Sequence, residues 1–441
     1  MAGRCALTFR QRVLHSSSWT LAGYGASMAL RFGGNLILTR LLFPEAFGMM
    51  GIIQAVSFGI WMLSDVGIGP SIVQKDRGNE PSFLNTAWTV QIIRGVLIWV
   101  GLCVLAYPMS IFYSEPQLAT MIPVVGLGEI ISSFNSTKLF TAQRNLEAGR
   151  VTQIDVGSSA LGLLCTIYLA WLTQSVWALV WGNIVTSSLK MYASHVALHG
   201  VRNRFAWDHD ALDHLRGFGR WILLSSALTF LYVEGARLII GAVLDMRQVA
   251  LFTLANAMNL MFWQAMLQLA GNVFFPAYAE TYRANPAKLM ALLYKARLAL
   301  ILPCWGLAVL FIFFGAQLMD ILYDARYHGS GAILRQLAAG SLVSCIWSSY
   351  SGVLLAVGEA AAMTKLTAIQ IICQFGGMYI GFQYGGEAGL VMGIAAANWA
   401  VYPAHAYVMS RIGLWQRKLD LTFLAASVLI VVLGWSGSFS H

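Results

Sequence analysis

Long apolar runs recur along the chain at 19–40, 46–69, 84–107, 117–138, 152–172, 176–198, 219–243, 249–277, 293–315, 331–356, 362–383 and 388–409. A further run covers 421–437. A helix of about 20 residues crosses the hydrocarbon core of a bilayer. A transmembrane barrel would instead show alternating segments of about ten residues, and none is found. The pattern predicts an all-α polytopic membrane protein with twelve spans and a candidate extra C-terminal helix.

The longest polar connection, "HGVRNRFAWDHDALDHLRGFGR" at 199–220, has six runs before it and six after it. The halves are weakly alike. "LLFPEAFGMM" (41–50) lies over "VLDMRQVALF" (243–252), and "ALVWG" (178–182) lies over "GLVMG" (389–393). The expected division is a six-helix bundle at 1–198, a linker at 199–218, a second six-helix bundle at 219–410, and a turn with the candidate thirteenth helix at 411–441. Both halves would start and end on the same side, which makes the repeat parallel with a pseudo-twofold axis along the membrane normal. Transporters built from such repeats hold their substrate near the midplane. No large domain outside the membrane is expected.

Charge fixes the expected orientation. With the N-terminus in the cytoplasm, twenty Lys and Arg residues fall at inside ends, from Arg4 to Lys418 and including Lys138, Arg144 and Arg297, and three at outside ends, Arg40, Arg247 and Arg326. This satisfies the positive-inside rule loop by loop. The net charge of +9 therefore belongs to one membrane surface and not to a nucleic-acid site. Arg4, Arg10 and Arg12 begin a short cytoplasmic segment, because the first apolar run is too long for a signal peptide. Six cysteines lie scattered without CxxC spacing, so neither disulfide nor metal site is expected.

The informative residues are the charges inside the runs. A charged side chain at the bilayer centre costs about 2.5–3.5 kcal/mol on insertion scales, so such groups face the bundle interior or a watery space. Tyr24, Ser27, Arg31 and Asn35 share one helical face. Ser226, Glu234 and Arg237 repeat this arrangement in span seven, where Glu234 and Arg237 could also form a local ion pair. Span three carries Gln91 and Arg94. Span four carries Glu129, Ser132, Ser133, Asn135 and Ser136, and span ten carries Arg335, Gln336 and Ser341. Asp65 and Asp155 sit near span ends. Guanidinium groups hold phosphate oxygens through two parallel bonds, which points to a phosphate-bearing anion. The pair His195 and His199 lacks an obvious third metal ligand, and "DHDALDH" (208–214) reads as the start of an amphipathic helix on the membrane surface. No hydrolase, zincin or Walker motif occurs, so no enzyme chemistry, cofactor or ATP site is expected.

"LTRLLFPEAFGMMGIIQ" (38–54) and "SDVGIGPSIVQ" (64–74) resemble the polysaccharide-transporter family, the lipid-linked oligosaccharide flippases of the MOP superfamily. "AQRNLEAG" (142–149), "FFPAYAE" (274–280) and "LYDARYHGSGAILRQLA" (322–338) extend the resemblance over about 15–415. It implies two six-helix bundles around a cavity open alternately to each side. It also implies export of undecaprenyl-diphosphate-linked sugar units across a bacterial inner membrane. Arg31, Arg94 and Arg237 would then meet the diphosphate, and Tyr24, Asn35, Gln91 and Ser136 the sugars. Asp65, Glu129, Asp155 and Glu234 are the candidates for ion coupling. Expected partners are the polyprenyl-diphosphate-linked glycan, membrane lipid, a polysaccharide polymerase and a chain-length regulator. The alternatives are a MATE-like cation or drug antiporter, which needs intramembrane carboxylates, and a glycan polymerase or ligase, which the missing long periplasmic loop disfavours.

Overall fold

The computed structural model describes residues 9–64, 68–69, 72, 80–145, 147–208, 228–270 and 274–436. Among the described residues every regular element is a helix. The chain divides into two compact units, Met1–Ala227 and Leu228–His441. In the first unit lie α1 (Phe9–Leu41), α2 (Pro44–Leu63), α3 (Pro81–Phe112), α4 (Leu118–Ser133), α5 (Lys138–Arg144), α6 (Ala148–Thr173) and α7 (Trp177–Val196). In the second lie α8 (228–243), then α9 (Met246–Leu269), α10 (Phe275–Ala284), α11 (Leu289–Leu322), α12 (Ser330–Ser348), α13 (Ser351–Ala356), α14 (Ala360–Ile412) and α15 (Arg417–Ser436).

Among the described residues six helical segments are long and apolar enough to cross a membrane on their own. A seventh forms if α4 and α5, which meet at 58°, count as one broken span. The other predicted runs are helical where described but carry more polar residues, and these hold most of the candidate site. The fourth run is therefore not one straight span, as expected from its hydropathy. It breaks at Phe134–Thr137, whereas α12 and α13, separated by two residues, still count as one crossing segment.

Local chemistry explains where the helices stop. Phe43 is extended and Pro44 takes the first position of α2, as Glu80 and Pro81 do for α3. Proline suits that position because its missing N–H would be unpaired there in any case. α14 holds two predicted spans in one helical run, folded at Gly386 with φ 56° and ψ −137°. Only glycine adopts that backbone without strain. The arms then return on each other at backbone contact. A Cβ at Gly381 would lie 2.0 Å from the Gly389 carbonyl oxygen, and one at Gly393 would lie 2.0 Å from that of Gly377.

The repeat detected in sequence has a structural counterpart. α2 begins at Pro44 and α9 at Met246, 202 residues apart. Glu147, before α6, and Glu359, before α14, share a backbone conformation (φ −90°, ψ 42° and φ −86°, ψ 46°). Each donates its amide back five residues, to Ala142 and Leu354.

Small residues set the helix spacing in the first unit. On α6 and α7, Gly162 faces Thr186 and Gly182 faces Thr166, with no room for a Cβ at either glycine. Each threonine hydroxyl donates to the glycine carbonyl four residues earlier on its own helix, at 2.8 Å. Its polar group is thus satisfied locally, which lets the hydroxyl side of the threonine lie against the glycine of the other helix.

The second unit is built around a buried ion pair. Arg297 of α11 and Asp420 of α15 meet at 2.6 Å with both side chains 0% exposed. Arg297 also donates to Ser349 Oγ, Tyr350 Oη, Gln416 Oε1 and the Ile346 carbonyl. Asp420 Oδ2 accepts from Tyr350, Tyr402 and Trp415. Burial of two charges is tolerable only when their remaining donors and acceptors are paired in this way. Arg297 is thus corrected from a surface cation of the inside face to a core residue. Lys138 is corrected too: it is buried, and its Nζ donates to the carbonyls of His195 and Leu198 at the end of α7.

Above the ion pair, Trp305 Nε1 donates to Ser427 Oγ at 2.9 Å, and Gly434 sits against Ile312. α15 therefore runs parallel to α11 across membrane depth and is one of the membrane-length helices among the described residues. Asp420→Ala is expected to destabilise the protein by about 3–5 kcal/mol, because it strands a buried guanidinium. The check is the thermal unfolding midpoint in detergent. Arg297→Met combined with Asp420→Leu should recover most of the loss.

Candidate substrate site

α1 supplies the polar face predicted from its spacing. It lies parallel to α6, with Gly23 against Thr152, Gly34 against Leu163 and Trp19 against Gly149. Arg31 is exposed, and Tyr24 and Asn35 are half-buried. Tyr24 lies within electrostatic reach of Arg31, and its hydroxyl has no hydrogen-bond partner. Among the described residues no carboxylate pairs with Arg31.

The other two arginines are differently placed. Arg94 of α3 donates through Nη2 to the Trp61 carbonyl at 2.7 Å and through Nε to Ser64 Oγ at 3.1 Å. Its guanidinium lies 5.2 Å from the Trp61 ring centroid, a cation–π distance. The last carbonyls of a helix have no partner within it, and Arg94 covers one of them at the end of α2. Glu129 of α4 lies within electrostatic reach. Arg237 of α8 is bound to Glu234 at 2.7 Å, with exposures of 17% and 13%. The local pair considered in sequence is thus the one that forms.

Gln91 and Ser136 are joints of the broken fourth span. Gln91 Nε2 donates to the carbonyls of Ser133 (2.8 Å) and Asn135 (3.2 Å). Ser136 is fully buried. Its hydroxyl donates to Asn203 Oδ1 at 2.6 Å, and its amide donates to Ser194 Oγ. Ser136 is thus engaged through both its hydroxyl and its amide, whereas Gln91 keeps its Oε1 without a hydrogen-bond partner, as Tyr24 keeps its hydroxyl.

The first residues of the linker hold the same end closed. The amides of Arg204, Ala206 and Asp208 donate in turn to Asn85, Thr89 and Thr86 of α3. That alternation is the mark of an extended chain. Most of the "DHDALDH" segment lies outside the described residues, as does Asp65.

Two further expectations meet their environment here. His195 Nε2 is 2.8 Å from the Phe134 carbonyl, and His199 Nδ1 is 3.0 Å from Arg150, so the two imidazoles serve separate contacts. Asp155 of α6 lies 2.7 Å from Lys190 of α7. Lys190 is a cation within a predicted span that hydropathy alone does not single out. Of the 28 Lys and Arg residues, 23 are assigned to span ends, and Lys190 is one of the five that remain. Subtraction alone would have found it.

In the first unit the candidate site is therefore one exposed guanidinium, Arg31, two polar neighbours on its helix, and the engaged cations Arg94 and Lys190. Such an arrangement attracts an anion and repels organic cations.

Comparison with known proteins gives the family and the fold. The family described as polysaccharide biosynthesis protein matches residues 37–331. The lipopolysaccharide biosynthesis protein WzxC of Escherichia coli (strain K12) is 19% identical over 398 residues, covering 88% of this chain and 78% of that protein. The succinoglycan biosynthesis transport protein ExoT of Rhizobium meliloti (strain 1021) is 19% identical over 405 residues, covering 90% and 80%. Among solved structures, the lipid II flippase MurJ in an inward closed conformation superposes with TM-score 0.70 at 12% identity, covering 97% of this chain and 94% of that one. An inward-facing multidrug resistance MATE transporter of the MOP superfamily superposes with TM-score 0.68 at 17% identity, covering 88% and 94%. These likenesses establish the fold, that of a multi-pass helical membrane protein.

Arg94→Met is expected to cost about 1 kcal/mol of stability by removing one of the two donors to the Trp61 carbonyl, the other being Ser64 Oγ, with Arg94→Lys retaining part of it. Protease resistance in detergent checks this. Unchanged resistance with lost transport would return Arg94 to the substrate.

Proposed function

The chain belongs to the polysaccharide biosynthesis protein family, and on that premise we propose that it is a flippase. It moves undecaprenyl-diphosphate-linked oligosaccharide units across a bacterial inner membrane by alternating access, for export of a surface polysaccharide. The observation that carries this reading is Arg31. An exposed guanidinium in the middle of a membrane helix, with no carboxylate partner among the described residues, is costly. A diphosphate oxygen pair fits its planar fork and offsets that cost. Tyr24 and Asn35 flank it as sugar contacts.

The proposed topology places the N-terminus in the cytoplasm, as the basic residues at span ends favour. The functional halves are the six-span segments 1–198 and 219–410, joined by the linker. The reading is a transporter without catalytic chemistry, working beside a polymerase and a chain-length regulator. A cation antiporter is the alternative that the shared fold allows. A lone cation facing the substrate disfavours it.

Direction follows from charge. One elementary charge crossing 100 mV is worth about 2.3 kcal/mol. A diphosphate with two negative charges leaving an inside-negative cell therefore gains about 4–5 kcal/mol by the same rule. Flipping in proteoliposomes should accelerate when an inside-negative potential is imposed.

The decisive test replaces Arg31 by Gln, Lys and Glu at confirmed membrane levels. Surface polysaccharide and the lipid-linked unit in the cytoplasmic leaflet are measured together. The expected result is loss of export and accumulation of the unit with Gln and Glu, and partial recovery with Lys. Normal export by Arg31→Gln would refute the reading.

A further inference from the structure

The five cations not assigned to predicted span ends are Arg31, Arg94, Lys190, Arg237 and Arg335. Two carboxylates pair with them, and the two pairs differ in kind. Arg237 and Glu234 are hydrogen-bonded at 2.7 Å and mostly buried. Lys190 Nζ and Asp155 Oδ1 approach to the same 2.7 Å but are 38% and 41% exposed. Asp155 Oδ1 itself is buried and makes no hydrogen bond, so the pair lacks directional alignment although the rest of both side chains is open. A pair this exposed and unaligned is weak.

Position adds to this. Asp155 lies seven residues into α6, and Lys190 lies six residues before the end of α7, so both sit about 10 Å inside the same end of the bundle. An ion pair at that depth with open surface faces water-filled space and not lipid. The contacts of Gly23 with Thr152 and of Gly34 with Leu163 set one register between the parallel helices α1 and α6. In that register Asp155 is level with Ala26. Arg31 therefore stands five residues, about 8 Å, further along the axis. Ser187, one turn before Lys190, contacts Ser132 Oγ at 3.3 Å and adds a hydroxyl beside the amine.

We propose that Lys190 is a second diphosphate-binding residue, masked by Asp155 in the empty protein, and that the substrate's phosphate displaces the Asp155 carboxylate from it. This rests on the flippase reading. A diphosphate carries more charge than one carboxylate and more acceptor oxygens. The ammonium is a compact charge on a flexible stem, able to change partner without moving a helix. The substrate then meets cations in order, Lys190 first and Arg31 deeper. The counter-ion keeps the first site neutral when no substrate is present.

The experiment measures binding of undecaprenyl diphosphate to the purified full chain in nanodiscs by native mass spectrometry. It uses the wild type, Lys190→Gln, Asp155→Asn, the double variant, and Arg31→Gln. Lys190→Arg and Asp155→Glu, which keep both charges, control for folding. Lys190→Gln is expected to weaken binding about tenfold, the loss of one charge-assisted contact. Asp155→Asn is expected to tighten it about fivefold by unmasking the amine. That gain should vanish in the double variant. Tightening that persists without Lys190, or weakening by Asp155→Asn, would overturn the proposal. If Arg31→Gln weakens binding while the Lys190 and Asp155 variants leave it unchanged, this inference fails and the flippase reading stands. If the wild type does not bind the lipid diphosphate, both fail.

Discussion

Inside a membrane a broken helix leaves carbonyl groups that water cannot reach, and each must find a donor within the protein. Much of the first unit follows from that constraint. α2 ends beside Arg94, α4 ends beside Gln91, and α7 ends on Lys138. Polar residues that look like substrate contacts in the sequence are held in place by the ends of neighbouring helices. The breaks they serve separate the short α5 from α4 and let the linker lie along α3.

The charges that remain form a graded series. Arg297 and Asp420 are wholly buried and fully hydrogen-bonded, and they join α15 to α11. Arg237 and Glu234 are partly buried and aligned. Lys190 and Asp155 are open and unaligned. Arg31 has no carboxylate partner among the described residues. Structural commitment falls along this series as availability to an anion rises. Function is read from its open end, where an incoming phosphate finds the least competition.

Glycine makes the packing in both units close enough for this to work. Gly162 with Thr186 in the first unit, and Gly381 with Gly389 in the second, bring helices to distances that exclude a Cβ. Backbones at that separation gain dispersion contacts in a medium where the hydrophobic effect no longer drives association. Rigid helix pairs of this kind can carry a few polar side chains at fixed depth.

Sequence by itself determined the all-helical class, the multi-pass membrane character and the repeat, because hydropathy and spacing are local properties. It also singled out Arg31, since a charge in an apolar run is visible without a partner. Which charges are neutralised was decided only by tertiary structure. Glu234 and Arg237 are three residues apart, and their pairing could be foreseen. Arg297 and Asp420 are 123 apart, and Lys190 and Asp155 lie on different helices. The capping roles of Gln91 and Arg94 were equally hidden, because hydropathy registers that a helix continues and not that it breaks. Long-range pairing depends on which helix faces meet, and a one-dimensional pattern of polar positions does not contain that information.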